Sequence, residues 1–289
     1  MATREVRLTY SIVALDKESG ELGVGIQSRA FRSGGVVPWA LPGVGAVATQ
    51  AFGEKSYGPL GLELMRAGKT PEQALAALVA ADPLAGHRQV SMLAADGTAA
   101  VHTGDSCIPA AGHRIGEGVT AQANCVEGPR VWESMVDAFV ATEAPLQRRL
   151  FAALEAAEAA GGDWRGRQAA AIHVVPAEGQ PWDTACDLRV DDNEDPLGEL
   201  RRLLDLHEGY TALGEVDDSA AIARRTGLAE IDVRFAELFD AARAGELERA
   251  RELVAELVEQ DGRWRAYLRA LADLEYLPHG DELLSASRS

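Results

Sequence analysis

Residues 9–205 predict a layered α+β sandwich, with a helical region following to residue 289. Three observations carry this reading. Strand-like segments come in groups: strands, two helices, strands, two helices, strands. Several of the strands are joined by short turns, as hairpins require. The texture then changes after Asp195-Pro196 to amphipathic helix. Segregated strands and helix pairs indicate stacked layers rather than alternating βαβ units.

The elements follow in order. Leu8–Leu15 is rich in β-formers, Asp16–Gly20 is a turn, and Leu22–Ser28 returns as a second strand. Val36–Trp39 and Val44–Gln50 pair around Leu41-Pro42-Gly43. A helix is expected over Ser56–Ala67, closed by Gly68. A second begins at Thr70, with Pro71 at its first position and Gln73 placed for a capping box. Arg88–Ala94 and Ala99–Thr103 form a hairpin across Asp96-Gly97. Short strands are expected near His113–Ile115 and Val119–Ala123, then helices over Arg130–Ala141 and Pro145–Ala160. Gln168–Val175 and Thr184–Val190 read as the last strands. Leu197–His207 is an amphipathic helix, Glu215–Asp218 an acidic loop, and Ile231–Leu274 is helical with breaks at Gly245 and Gly262. Residues from Ser285 are expected to be disordered.

Composition narrows the function. The chain carries a formal charge of −17, which repels nucleic acid and anionic membrane, so neither is expected as a partner. No apolar run approaches the ~20 residues of a membrane span. MATREVRL lacks the apolar stretch of a signal peptide, and a cytoplasmic protein is expected. The three cysteines, Cys107, Cys125 and Cys186, have no CxxC spacing and read as reduced thiols. No histidine pattern suggests zinc, and no metal or cofactor is expected. Asp191-Asp192 with Glu194-Asp195 reads as an acidic linker rather than a cation site. No GxSxG motif and no Ser-His-Asp pattern is present.

Thr9 opens the first strand. A threonine in that position becomes a nucleophile when its own α-amino group is free, because that amine (pKa near 8) takes the hydroxyl proton. Read from periodicity alone, Thr9 is an ordinary strand threonine.

Thr9-Tyr10-Ser11-Ile12-Val13-Ala14, a charged turn, then Gly25-Ile26-Gln27-Ser28-Arg29 resembles the start of proteasome-like N-terminal-nucleophile (Ntn) hydrolases. The sequence is closer still to an uncharacterised bacterial family of that superfamily, whose members commonly begin Met-Thr-Phe/Tyr-Ser-Ile-Val-Ala. Further matching stretches are Val37-Pro38-Trp39-Ala40, Gly45 to Ala51, Tyr57-Gly58-Pro59, Arg88-Gln89, Gly161-Gly162-Asp163 with Arg165-Gly166, and Leu188 to Asp192. The resemblance covers about residues 9–205. It implies a four-layer αββα sandwich with Thr9 as nucleophile. It implies a support role for Ser28 and Arg29, and places Gln27 where the proteasome pattern has an acid. A Thr49-Gln50-Ala51 turn would line an oxyanion hole. Gln122 and Asn124 would hold the terminal amine, and Asp163, beside Arg165, would orient them. Arg88 stands among the support residues, although a structural ion pair is the favoured reading for it.

Two departures matter. No lysine stands near Gly35–Val37, and eight residues precede Thr9 with bulky Leu8 before it. Either residues 1–8 are a leader- or propeptide-like segment cleaved at Leu8–Thr9, or the true start lies later, or the chain is not an active hydrolase. The resulting expectation is an amidohydrolase for a small amide or peptide-like C–N bond. The alternative is a silent Ntn-fold binding or assembly protein, with residues 206–289 as a partner-docking tail. Homo-oligomerisation is expected by analogy with Ntn sandwiches that pack through their outer helices.

Overall fold

The computed structural model describes residues 6–7, 9–213 and 218–285. In chain order the strands and helices are β1 (Val6–Arg7), β2 (Thr9–Leu15), β3 (Leu22–Ser28), β4 (Pro38–Leu41), β5 (Gly45–Phe52), α1 (Tyr57–Arg66), α2 (Pro71–Ala81), β6 (Arg88–Ala94), β7 (Ala99–Thr103), β8 (Ala111–Gly116), β9 (Val119–Asn124), α3 (Arg130–Ala141) and α4 (Leu146–Ala159). Then come β10 (Ala169–Val175), β11 (Cys186–Val190), α5 (Pro196–Ala212), α6 (Ser219–Arg225), α7 (Glu230–Arg243), α8 (Leu247–Gln260), α9 (Arg263–Asp273) and α10 (Gly280–Ser285). The chain divides into two compact units, one up to Arg201 and one from Arg202, so the boundary falls inside α5.

The first unit is mixed α+β with two antiparallel sheets. Sheet A runs β1-β5-β6-β7, with β4 also on the edge of β5; sheet B runs β11-β10-β3-β2-β9-β8. Helices α1 and α2 pack on sheet A, and α3 and α4 on sheet B. The two sheets meet through alternate residues of their strands. Val13 and Leu15 of β2, Leu22, Val24 and Ile26 of β3, Ala46 and Ala48 of β5 and Leu93 of β6 belong to one buried cluster. The opposite face of sheet A gives Val47, Val90 and Met92 to a cluster with Tyr57, Leu62 and Met65 of α1. On sheet B the helix face carries Gly23, where a Cβ would press against Leu150, and Gly25, where it would press against Ile12 and touch Leu150. Glycine there lets α4 lie close to the sheet.

Local chemistry accounts for the boundaries. Thr70 accepts from the Gln73 N–H at 3.2 Å, and Gln73 Oε1 accepts from the Thr70 N–H at 3.2 Å, so the capping box read from sequence forms. Gly97 takes φ +85° between β6 and β7, as the Asp-Gly hairpin signal requires.

Three expectations change. The segment before Thr9 contributes a strand: β1 pairs Val6 with Phe52 and Arg7 with Ala51. The reason is that β4 covers β5 only from Gly45 to Ala48, leaving the edge at Ala51–Phe52 open. Thr49-Gln50-Ala51 lies inside β5 rather than in a turn. The C-terminal unit contains α6 and α10, both of seven residues or fewer and too short for a periodic signal. The expected acidic loop and terminal tail fall almost wholly outside the described residues.

In the second unit, α7 to α10 share a core of Leu238, Leu253, Leu257, Leu268 and Leu283. No helix among the described residues is long and apolar enough to cross a membrane.

Candidate functional site

The two sheets place polar side chains together at one end of their interface. Thr9, Ser11, Ser28, Gln50, Gln89, Ser91, Thr120, Gln122 and Asn124 are all fully buried. They come from β2, β3, β5, β6 and β9. Each sits on the inter-sheet face by strand alternation, further along the strand than the apolar cluster.

Thr9 lies opposite Ser28 in the β2–β3 register, and its hydroxyl donates to Ser28 Oγ at 3.0 Å. The Thr9 carbonyl receives Gln50 Nε2 at 3.0 Å and Asn124 Nδ2 at 3.5 Å. Those two nitrogens also reach Gln89 Oε1, at 2.7 Å and 2.8 Å. Gln122 lies one step inward, with Nε2 3.3 Å from Ser11 Oγ and 3.2 Å from the Ala48 carbonyl. The structure therefore brings Thr9, Ser28, Gln50, Gln122 and Asn124 together. It adds Gln89, which sequence reasoning passed over except as part of a matching stretch. Its signal was faint: an unpaired polar residue at a position whose strand neighbours Val90 and Met92 are core.

Other residues are placed differently from expectation. Gln122 and Asn124 do not hold the Thr9 nitrogen; Asn124 holds its carbonyl. The Thr49 N–H is committed to the Val37 carbonyl at 3.1 Å and its hydroxyl to the Glu54 carbonyl at 3.1 Å, so Thr49 has no donor left for an oxyanion. Gln27 lies opposite Tyr10 on the helix face of sheet B, since its neighbours Ile26 and Ser28 face the other sheet. Both polar atoms of Gln27 are buried without a partner among the described residues.

Asp163 does not orient Gln122 or Asn124. Its carboxylate accepts from the Arg29 backbone N–H at 3.2 Å and, from Arg165, the backbone N–H at 2.9 Å and a guanidinium N–H at 2.8 Å. It thus anchors the end of β3 just beyond Ser28, while the Arg29 side chain is exposed. Arg88 is 3% exposed and its Nε donates to Asp82 Oδ2 at 2.7 Å, with a further bond to the Phe52 carbonyl. It braces the end of β5 from the outer side. The Arg88 hydrogen bond is the largest of the effects that hold the Asp82 carboxyl below the usual range.

Ala51 adopts φ +67°, a left-handed conformation rare for a residue with a Cβ. It lies between Arg7 of β1 and Arg88 of β6.

A cavity of about 500 Å³ opens at this same end of the sheets, lined by Thr103, Cys107, Ala111, His113 and Trp132 among others. Ala111 is the register partner of Asn124, and β8 is two strands from β2, roughly 10 Å away at ordinary strand spacing. Burial, then the nearby His102, pushes the His113 imidazole below its usual value, so it is neutral at pH 7. Burial raises the Cys107 and Cys125 thiols, which removes thiolate character from both. All three cysteines are buried and outside any disulfide. Among the described residues no three His, Cys, Asp or Glu side chains converge as metal ligands.

Residues 9–200 match the model of a family of unknown function, DUF1028. The chain belongs to this family. The match begins at Thr9, so the segment that pairs as β1 lies outside it. A crystal structure of protein SPO2555 from Silicibacter pomeroyi, of the same DUF1028 family, is similar at 30% identity and a TM-score of 0.64. The likeness covers 75% of this chain and 94% of that one. No curated protein matches the chain.

Proposed function

We propose that this DUF1028 protein is an Ntn-type amidohydrolase with a four-layer αββα fold, in which Thr9 becomes the nucleophile once residues 1–8 are removed. The observation that carries the reading is the treatment of Thr9. It is the first residue of β2, its hydroxyl rests on Ser28, and its carbonyl is held by two buried side-chain amides from both sheets. An ordinary strand threonine does not need such an arrangement.

In the uncut chain the Thr9 nitrogen is a peptide amide and cannot act as a base. After cleavage it is a free amine that accepts the hydroxyl proton as Oγ1 attacks a substrate carbonyl. That proton passes to the departing amine as the C–N bond breaks. Water then attacks the acyl ester and restores Thr9. Loss of β1 also frees the edge backbone of Ala51–Phe52, and we assign the oxyanion donors to that edge in place of Thr49. Gln50 Oε1, Gln122 Oε1 and Asn124 Oδ1 have no donor among the described residues. A buried acceptor left so costs ~1–3 kcal/mol. This spare acceptor capacity suits a site that gains an ammonium or a substrate N–H. The substrate is a small amide whose far portion fits the cavity beside Thr103 and His113, a volume within the usual ligand range.

The full burial of Thr9 favours a second reading, a silent Ntn-fold binding module that keeps its leader. Intact mass of the purified protein, before and after a β-lactone probe, separates the two. Loss of residues 1–8 with one adduct on Thr9 supports the hydrolase. A full-length chain inert to the probe supports the binding module. Thr9→Ala abolishes the adduct with an unchanged melting profile, and Thr9→Ser retains part of it.

A further inference from the structure

We infer that Gln89 is the positioning residue of the Thr9 site: its side chain fixes the two amides that grip the Thr9 carbonyl. The inference concerns the same site as the proposed hydrolase, but it stands on geometry alone. Gln89 is fully buried on β6. Its Oε1 accepts from Gln50 Nε2 at 2.7 Å and from Asn124 Nδ2 at 2.8 Å. Its Nε2 donates towards the Ala123 carbonyl at 3.0 Å, the Gly112 carbonyl at 3.1 Å and Thr103 Oγ1 at 3.1 Å. One side chain of sheet A therefore ties together β5, β7, β8 and β9.

The consequence for Thr9 follows from shared donors. Gln50 Nε2 and Asn124 Nδ2 are each shared between Gln89 Oε1 and the Thr9 carbonyl, and Gln50 Nε2 also lies 3.4 Å from the Gln122 carbonyl. With Gln89 in place, both amides are held on two points and cannot swing. Without it each loses its shortest bond: Asn124 keeps only the 3.5 Å contact, and Gln50 can turn from Thr9 towards the Gln122 carbonyl. The Thr9 carbonyl sets the backbone angle at Thr9, and that angle sets where Oγ1 points against Ser28. Only a terminal group that accepts on one atom and donates on the other can do this, which glutamine supplies and no hydrocarbon does.

The network continues outward. Thr103 Oγ1 accepts from Gln89, so its own hydrogen is left for His113 Nδ1 at 2.9 Å. Gln89 thus also connects the wall of the cavity to the Thr9 backbone.

The test uses the full-length protein. Thr9-Tyr10 is the one Thr-Tyr step in the sequence, so ¹³C-carbonyl threonine with ¹⁵N-tyrosine gives a single resonance for the Thr9 carbonyl. In Gln89→Leu the expected result is an upfield move of that resonance, as a carbonyl losing donors shows. In Gln89→Glu the carboxylic acid keeps both functions while protonated. Ionised, it still accepts from Gln50 and Asn124, so its resonance stays near the wild-type value at every pH. The wild-type resonance stays put over the same pH range. A merely structural role lowers the melting temperature of both variants and leaves the Gln89→Leu resonance in place, which overturns the inference. If Gln89→Leu does not fold, Gln89→Met, which keeps the length and lacks both functions, takes its place: an unmoved Thr9 resonance there refutes the positioning role. Failure of the β-lactone to label the wild type would strike the hydrolase reading and leave this measurement intact. Where labelling occurs, Gln89→Leu slows it at least tenfold and Gln89→Glu restores most of it.

Discussion

The space between the two sheets has two ends built from the same strands, and they differ in chemistry rather than in burial. Along β2 the inter-sheet face reads Thr9, Ser11, Val13, Leu15; along β3, from the matching end, it reads Ser28, Ile26, Val24, Leu22. On β6 it passes from Gln89 through Ser91 to Leu93. Every one of these residues is 8% exposed or less. The apolar end needs only shape to be stable. The polar end must satisfy each buried group with a partner in a particular direction, and a group that misses its partner costs ~1–3 kcal/mol. A fold gains little stability from such an end over a hydrophobic one. The proposed role of Thr9 gives this polar end a purpose that stability alone does not.

The largest expected effect tests whether the two ends separate. Leu22→Ala at the apolar end empties a fully buried site and lowers stability by about 3 kcal/mol. Chemical denaturation should show that loss while β-lactone labelling of Thr9 in the folded protein keeps its wild-type rate. Equal damage to labelling would mean that the ends act as one unit.

Next comes the brace outside the polar end. Arg88→Met leaves Asp82 without its main partner and takes a donor from the Phe52 carbonyl, at a cost of about 3 kcal/mol. The pH profile carries a second signature. The folded carboxyl of Asp82 is held below its unfolded value, so its contribution is present above about pH 4 and lost as pH falls through the folded value. Melting curves between pH 6 and pH 2.5 should therefore show a smaller acid loss in Arg88→Met than in the wild type. Parallel profiles would remove Asp82 from the account. At the middle of the interface, Ser91→Ala removes one hydroxyl bridge to Thr120 across the sheets and costs about 1 kcal/mol, read by the same denaturation.

How much of this was legible in the sequence follows from the range of each signal. The hairpin at Asp96-Gly97, the capping box at Thr70 and the helix over Arg130–Ala141 depend on neighbours in the chain, and they form as read. Thr9, Ser28, Gln50 and Asn124 could be named through family resemblance. Their mutual geometry could not, because Asn124 is 115 positions from Thr9 and the contact depends on sheet-on-sheet register. Gln27 shows the limit well. It matches a motif position beside Ser28, yet one step along a strand turns its side chain to the helix layer. Thr49 fails for a similar reason: a strand position commits its amide to Val37. The pairing of β1 was invisible because two residues carry no period, and only the open edge of β5 explains it.

The finest comparison makes one substitution at two points of a single strand. Ala48 and Ala51 both lie on β5 and both are buried, but Ala51 alone of the pair has positive φ. Ala48→Gly removes a methyl from the apolar cluster and adds backbone freedom to the unfolded chain, so it costs about 1 kcal/mol or somewhat more. Ala51→Gly carries the same entropic penalty but relieves a left-handed alanine, a strain on the order of 1–2 kcal/mol. The two effects offset, and stability should change by less than about 0.5 kcal/mol in either direction. The opposite balance at the two positions is measurable as a difference in denaturation midpoint. If Ala51→Gly is as costly as Ala48→Gly, the Ala51 backbone holds no strain.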